Sequence, residues 1–517
     1  MTRKRLKPFT ELGDFSLDPT SIHMLPFAFC ARQQVAVLGE VVLGAPEPIH
    51  LGMTDTSDTD LLSALSLRWA RPVIAVQLTS FEIQRVLDIG FGSEGGPDAY
   101  AGHVLPADLP QAQPDDDAAR QLDCTLLHAI QKRASDIHIE RYRRDVDVRI
   151  RVDGVLIQHQ THITPDNING VINRIKILTS LDIAESRVSQ DGGFRMSVVD
   201  GDRVSALDCR ASILPGPHGE DAVLRILDPQ VGLVDLGRLG MTPEMAATFE
   251  GLLANPEGTV LVTGPTGSGK STTLYAALDK LNDGRRKILT AEDPIEYTLD
   301  KVNQKQVSPV MSMSDLARAF LRHDPDIILI GEVRDRETAA TAAKAACTGH
   351  LVLGTLHTSD ALGSIPRLRG LELSDDQISD SLLAILAQRL ARRVCQYCAE
   401  TWPVTEEQRA KLSTLLDSWD GETLHAKGCD RCNGIGYSGR IGLFELLVFD
   451  HTMISAIADG MHAPGLRALL RQKGHPSLVD DALEKVQDGL TTLDELLRVV
   501  PVRQIRAEID SRTMTTD

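Results

Sequence analysis

The stretch Gly264-Pro265-Thr266-Gly267-Ser268-Gly269-Lys270-Ser271 decides the fold. It fits the pattern G-x-x-x-x-G-K-[ST]. The apolar run Thr259–Thr263 before it has strand length, and a helix opens at Ser271, with Thr272 following on the same run. Strand, glycine-rich loop and helix form a cradle for phosphate. The glycines let backbone amides turn inward, and the helix N-terminus adds the positive end of its dipole. Lys270 places a compact cation on the β- and γ-phosphates of ATP, and the Ser271 hydroxyl is the expected Mg²⁺ ligand.

The residues that follow alternate strand and helix. Strands are predicted at 287–291, 326–330 and 351–355, and helices at 272–282, 314–322, 337–347 and 378–394. This alternation implies a parallel sheet covered on both faces. Two strands run into carboxylates. Asp326–Ile330 leads to Gly331-Glu332, and a carboxylate there stands near Mg²⁺ in such sheets. Thr290-Ala291-Glu292 ends the other strand, where Glu292 can polarise an attacking water, or can be a solvated loop acid. His350 and His357 bracket the strand at 351–355. At the carboxyl edge of a parallel sheet His357 faces the ligand crevice, as a γ-phosphate contact or as a structural histidine.

Upstream, helical spacing at 122–133 and strand alternation at 136–140, 146–152 and 206–210 describe an α+β domain, with turns at Asp153-Gly154 and Asp191-Gly192-Gly193. Before it, the Gly-, Pro- and Asp-rich segment 92–117 reads as a linker. A first domain with a helix at 61–69 and a strand at 73–78 carries no catalytic constellation. The expected organisation is a docking domain at 1–91, a linker at 92–117, an α+β domain at 118–228, a second linker at 229–240 and an ATPase domain at 241–505. A helical tail runs from about 453 to 500.

Cys395-x-x-Cys398 and Cys429-x-x-Cys432 stand with thirty residues between the pairs. Four thiolates in two knuckles suit a structural Zn²⁺ site at 395–432, while a redox Cys-x-x-Cys pair is the rival reading. The chain of 517 residues carries 54 Lys+Arg against 72 Asp+Glu, a net charge of −18, with aromatics at 4%. That balance argues against a general nucleic-acid binder and a base-stacking surface. The basic start Met1-Thr2-Arg3-Lys4-Arg5 leads into no apolar stretch, so no secretory signal and no membrane span are expected.

Four motifs occur in order: the phosphate loop, Ala291-Glu292-Asp293-Pro294-Ile295-Glu296-Tyr297, Gly331-Glu332-Val333-Arg334-Asp335, and the histidine box 348–358. With Ala134-Ser135-Asp136-Ile137-His138-Ile139-Glu140, they make residues 120–500 resemble the secretion and pilus-assembly ATPases of the GspE/PulE/PilB type. The segments 25–32 and 67–73 resemble the first domain of type II secretion members.

The resemblance implies a RecA-like P-loop core and ATP hydrolysis that drives pseudopilus assembly and protein export. It strengthens catalytic roles for Glu292, Glu332 and His357. It adds Arg210 and Arg225 as candidates to neutralise transition-state charge from the second domain, set against pairing with local acids. It further implies a homo-hexamer, cytoplasmic and peripheral to the inner membrane. Its expected partners are an inner-membrane platform protein and, through residues 1–91, the cytoplasmic domain of a bitopic inner-membrane secretion protein. Where family members often read Pro-Gln-Asp-Gly-Arg, this chain has Ser189-Gln190-Asp191-Gly192-Gly193, which puts a phosphate or interface role of that loop in doubt. The alternatives are a type IV pilus extension ATPase, a nucleotide-gated scaffold, and a DNA-translocating motor using the basic runs 141–144 and 389–393.

Overall fold

The computed structural model describes residues 103–513 apart from 201–202, 228–233, 418 and 420. Of the earlier residues it describes 15, 18–22, 24–25, 29–30, 33–39, 41, 47–69, 71–79, 82–83 and 86–87. The motif segment 25–32, the linker segment 92–102 and the start of the second linker therefore lie wholly or partly outside the described residues. The chain divides into two compact units, Met1–Pro229 and Gln230–Asp517.

In the first unit, β1 (Val35–Leu38), β2 (Ile49–Met53) and β3 (Val73–Gln77) form one sheet. Helix Thr59–Trp69 supplies the crossover between parallel β2 and β3. Val35, Leu51, Ile83 and Val86 are buried at its core. A second sheet holds β4 (His103–Pro106), β5 (Ala134–Arg141), β6 (Val146–Val152), β7 (Val155–Gln158), β8 (Gln190–Asp200), β9 (Arg203–Gly216) and β10 (Gly219–Leu227), in the order β4-β8-β9-β10-β5-β6-β7. Asp153 and Gly154, both at positive φ, turn β6 into β7.

Two expectations fail in this unit. The segment 92–117 is not free of structure throughout: β4 pairs with β8, and Asp117 caps helix Ala118–Gln131 by accepting from the Arg120 amide at 2.8 Å. Asp191-Gly192-Gly193 is no turn but part of β8. A Cβ on Gly192 would sit 2.9 Å from the Thr179 carbonyl oxygen, so the glycine there permits close backbone approach.

In the second unit, β11 (Gly258–Thr263), β12 (Ile288–Glu292), β13 (Asn303–Gln306), β14 (Ile327–Ile330), β15 (Leu351–Leu356), β16 (Leu382–Val394) and β19 (Tyr437–Val448) form a sheet in the order β13-β12-β14-β15-β11-β16-β19. Its neighbours are parallel except antiparallel β19. Alternate residues of each strand enter separate cores. Leu261, Ile328 and Ile330 face one, under helices Met313–Phe320 and Arg336–Ala346. Val260, Val262 and Leu329 face the other, with Phe249 and helix Lys270–Leu281. Both faces of the sheet are thus covered, which is why its strands read as continuous apolar runs.

The predicted helix 378–394 is corrected. Only Asp375–Ser381 is helical, and residues 382–394 are β16. The Leu- and Ala-rich composition favours a helix, but β16 is clamped between β11 and β19, and that pairing outweighs propensity. β16 and β19 are the two arms of a long hairpin. Its tip holds a small hairpin of β17 (Ala399–Pro403) and β18 (Glu422–Ala426). Helices from His451 to Thr513 complete the unit.

Candidate active site and metal centre

The carboxyl ends of the parallel strands place the site. The phosphate loop leaves β11, Glu332 follows β14, His357 follows β15, and Glu292 ends β12. The adjoining strands bring all four to one edge. Gly264, Gly267 and Gly269 adopt φ of 153°, 77° and 89°. A Cβ on Gly264 would lie 2.4 Å from the Gln388 carbonyl oxygen and 2.6 Å from Ser268 Oγ, so no other residue fits against β16. Helix Lys270–Leu281 has Gly269 at its N-cap and no side-chain cap, which leaves its first amides available to an anion. Lys270 Nζ donates to the Gly264 and Pro265 carbonyls at 2.9 and 3.0 Å. Burial pushes its pKa down, and the Glu332 charge works against that shift.

Glu332 is the hub of the acidic side. Its carboxylate lies 2.6 Å from Arg334 Nη2 and 3.2 Å from His357 Nε2. Burial works to raise its pKa, but these two partners outweigh it and hold the carboxyl below the usual range. Glu332 is thus an anion whose charge acts on the phosphate-loop lysine. Glu292 is different. It is buried, accepts from Thr290 Oγ1 at 2.5 Å and Gln304 Nε2 at 3.1 Å, and is also bonded by the Tyr275 hydroxyl. Both carboxylate oxygens have protein donors, and Tyr275 belongs to the helix that follows the phosphate loop. Gly331 closes the acidic corner, its amide donating to Ala291 O at 2.7 Å.

Arg210 and Arg225 lie in the first unit, opposite one another on β9 and β10. Arg225 Nε pairs with Asp136 Oδ1 at 3.0 Å, the local-acid pairing weighed against a catalytic role. Gly193 faces Arg210 across the β8–β9 ladder, so the position where family members carry an arginine is opposite Arg210.

Sequence reasoning missed Gln388, and read Arg389 only as part of a basic run on a helix. Gln388 Oε1 accepts from Thr273 Oγ1 at 2.7 Å, and its main chain backs Gly264, so β16 buttresses the loop from behind. Arg389 is 6% exposed and lines a cavity beside Pro265 and Thr266. Both sit in the segment read as a helix, a reading that gave them no place beside the loop. Thr263 was seen only as the end of a strand. Its hydroxyl bonds Thr358 Oγ1 at 2.6 Å and ties the phosphate-loop strand to the histidine box.

The four cysteines converge at the tip of the β16–β19 hairpin, since Cys395 follows β16 and Cys432 shortly precedes β19. Their sulfurs all lie within 4.8 Å of one another. The separations Cys395–Cys429, Cys398–Cys432 and Cys429–Cys432 are 4.0, 3.8 and 3.7 Å. A tetrahedron with metal–sulfur bonds of about 2.3 Å has edges of about 3.8 Å, so the donor set fits zinc. Burial pushes the Cys398 thiol up to about 12. At Cys432 burial is outweighed by the amides of Cys429 and Gly436, which bring it down to about 7. Amides aimed at sulfur favour the thiolate that a metal requires.

A phosphate loop on a parallel sheet, faced by an acidic strand end, defines a P-loop ATP hydrolase. The model of the family "Type II/IV secretion system protein" matches residues 111–498, and the chain belongs to that family. It is 40% identical over 500 residues to "Type II secretion system protein E" of Dickeya dadantii, covering 92% of this chain and 97% of that one. It is 44% identical over 399 residues to "Type II secretion system ATPase E" of Vibrio cholerae, covering 76% and 77%. Among solved structures, the ATPase DotB of Legionella pneumophila superposes with a TM-score of 0.57 at 22% identity, over 79% of this chain and all of the other, a likeness of fold. Among the described residues no helix is long and apolar enough to cross a membrane.

Proposed function

We propose that the protein is a Mg²⁺-dependent ATPase that drives pseudopilus assembly in a type II secretion system. It works as a homo-hexamer in the cytoplasm at the face of the inner membrane. The observation that carries this reading is the 40% identity that runs through 92% of the chain and 97% of a type II secretion relative. A likeness confined to the ATPase core would not separate secretion from pilus extension.

In the proposed mechanism, the phosphate-loop amides, Lys270 and Thr272 bind the ATP phosphates, and Ser271 and Glu332 hold Mg²⁺. Mg²⁺ held by Ser271 and Glu332 would supply neutralisation of the phosphate charge. Glu292, once its hydroxyl partners give way, accepts the proton of the attacking water. The water oxygen bonds to the γ-phosphorus as the bond to the β–γ bridging oxygen breaks, giving ADP and inorganic phosphate. His357, held by Glu332, reads the γ-phosphate. Arg210 and Arg225 are the candidates to neutralise the transition-state charge, Arg225 on release from Asp136. The four cysteines hold a structural Zn²⁺ that locks the hairpin tip.

Residues 1–91 dock the motor on the cytoplasmic domain of a bitopic inner-membrane protein, and an inner-membrane platform protein receives the work. Deleting 1–91 tests this. Nucleotide binding should persist while membrane recruitment is lost. Continued co-fractionation with membranes, or co-purification with a pilus partner in place of the secretion partner, overturns it.

A further inference from the structure

The phosphate loop opens on a cavity of about 850 Å³ whose arginine-lined part no step above uses. Pro265, Thr266 and His357 form the wall it shares with the nucleotide site. His357 also touches Glu332, so this wall adjoins the acidic side of the loop, where the terminal phosphate is cleaved. The rest of the lining carries three arginines from three separate elements: Arg389 from β16, Arg467 from helix Ala463–Gln472 and Arg503 from helix Val502–Thr513.

The turn after the histidine box gathers them. Arg389 Nη2 donates to Ser359 O at 2.8 Å, Arg503 bonds Ser359 Oγ, and Arg467 Nη2 pairs with Asp360 Oδ2 at 3.1 Å. Gln504 Nε2 also donates to Ser359 O, at 2.6 Å. Asp360 is the carboxylate in ion-pair contact with this arginine set, through Arg467. Glu445 and Glu508 are further acids close by, and Glu445 is buried with its carboxyl pKa pushed up to about 7. Arg389, 6% exposed, donates to the backbone carbonyls of Gln388 and Ser359. A buried guanidinium without a carboxylate is costly unless an anion shares the site. Arg467, paired with Asp360, and exposed Arg503 line the same cavity, and together the three arginines provide more N–H donors than these partners consume.

We propose that this cavity is an oxyanion site that takes the inorganic phosphate cleaved from ATP and holds it on its way out, a reading that rests on the ATPase function above. Cleavage leaves a free phosphate dianion beside Thr266 and His357. The positive charge that lines the rest of the cavity is that of Arg389, Arg467 and Arg503. Departure through it leaves ADP in the loop.

Equilibrium dialysis of radiolabelled inorganic phosphate against the full-length, nucleotide-free protein tests this. Wild type and Lys270→Ala should bind phosphate with similar affinity, because the cavity does not need the loop lysine. Arg503→Gln should weaken binding roughly tenfold, the loss of one charge-assisted hydrogen-bonding group. It should also weaken inhibition of hydrolysis by added phosphate by the same factor, with the ADP inhibition constant unchanged. Arg503 makes one bond to a serine hydroxyl, so this variant should fold, and its melting curve checks that. Arg467→Gln is the second variant. Loss of phosphate binding in Lys270→Ala with retention in both arginine variants places phosphate in the loop alone and overturns the proposal. Unchanged phosphate binding with a broken oligomer also overturns it, making the arginine lining a subunit contact. Hydrolysis by Lys270→Ala tests the ATPase reading separately, so either can fail alone.

Discussion

Glu445 on β19 is buried near Asp360, and its carboxyl pKa is pushed up to about 7. Desolvation is the main cause and the Asp360 charge adds to it. Arg467 and the Ala361 amide pull the other way, and Glu508 raises it slightly. A carboxyl whose pKa rises on folding binds its proton more tightly in the native than in the unfolded chain. Its neutral form costs little below pH 4.5. Stability then falls as pH climbs from the unfolded value near 4.5 through the folded value near 7. A difference of about 2.5 units corresponds to about 3 kcal/mol, developed between pH 4.5 and 8. Glu445→Gln keeps the shape and removes the titration. Its stability relative to wild type should therefore be nearly flat below pH 4.5 and rise by about 3 kcal/mol by pH 8. Urea unfolding in a Trp69→Phe background measures this, since Trp402 and Trp419 then report on the second unit alone. A stability difference that does not change across this pH range refutes the reasoning. So does one that changes in the opposite sense.

Two further outcomes are expected. Purified protein should contain zinc at about one per chain, and Cys432→Ser should lower the stability of the hairpin tip, because metal-binding energy is also folding energy; elemental analysis that finds no zinc rejects the site. Gly264→Ala should lower stability by about 2–4 kcal/mol, from strain plus overlap with the Gln388 carbonyl. Gly267→Ala, with open space around it, should cost only the backbone strain of about 1–2 kcal/mol, so equal thermal shifts count against the described loop.

The chemistry of the site was legible because it depends on local sequence. A phosphate loop carries its own strand, turn and helix, and Glu332 announces itself as the carboxylate after an apolar strand. What the sequence hid depends on partners distant along the chain. Leu382–Val394 has the composition of a helix and is a strand only because β11 and β19 flank it. With that misreading went Gln388 and Arg389, whose roles arise from lying next to the loop. Gly192-Gly193 signalled a turn, yet the glycine at 192 serves the approach of the Thr179 backbone. His103–Pro106, set among prolines and aspartates, becomes a strand through β8, which lies some ninety residues onward. The two Cys-x-x-Cys pairs were the opposite case, since their spacing alone suggested what the sulfur distances fit.

The central claim is that ATP is cleaved at the loop between Lys270 and Glu332. The most direct measurement is phosphate release and nucleotide binding by the full-length protein, its Lys270→Ala variant and its Glu332→Gln variant, assayed together with Mg²⁺. The account predicts that Lys270→Ala loses most binding and turnover, while Glu332→Gln binds ATP and does not hydrolyse it. Hydrolysis by Lys270→Ala at near the wild-type rate would contradict it.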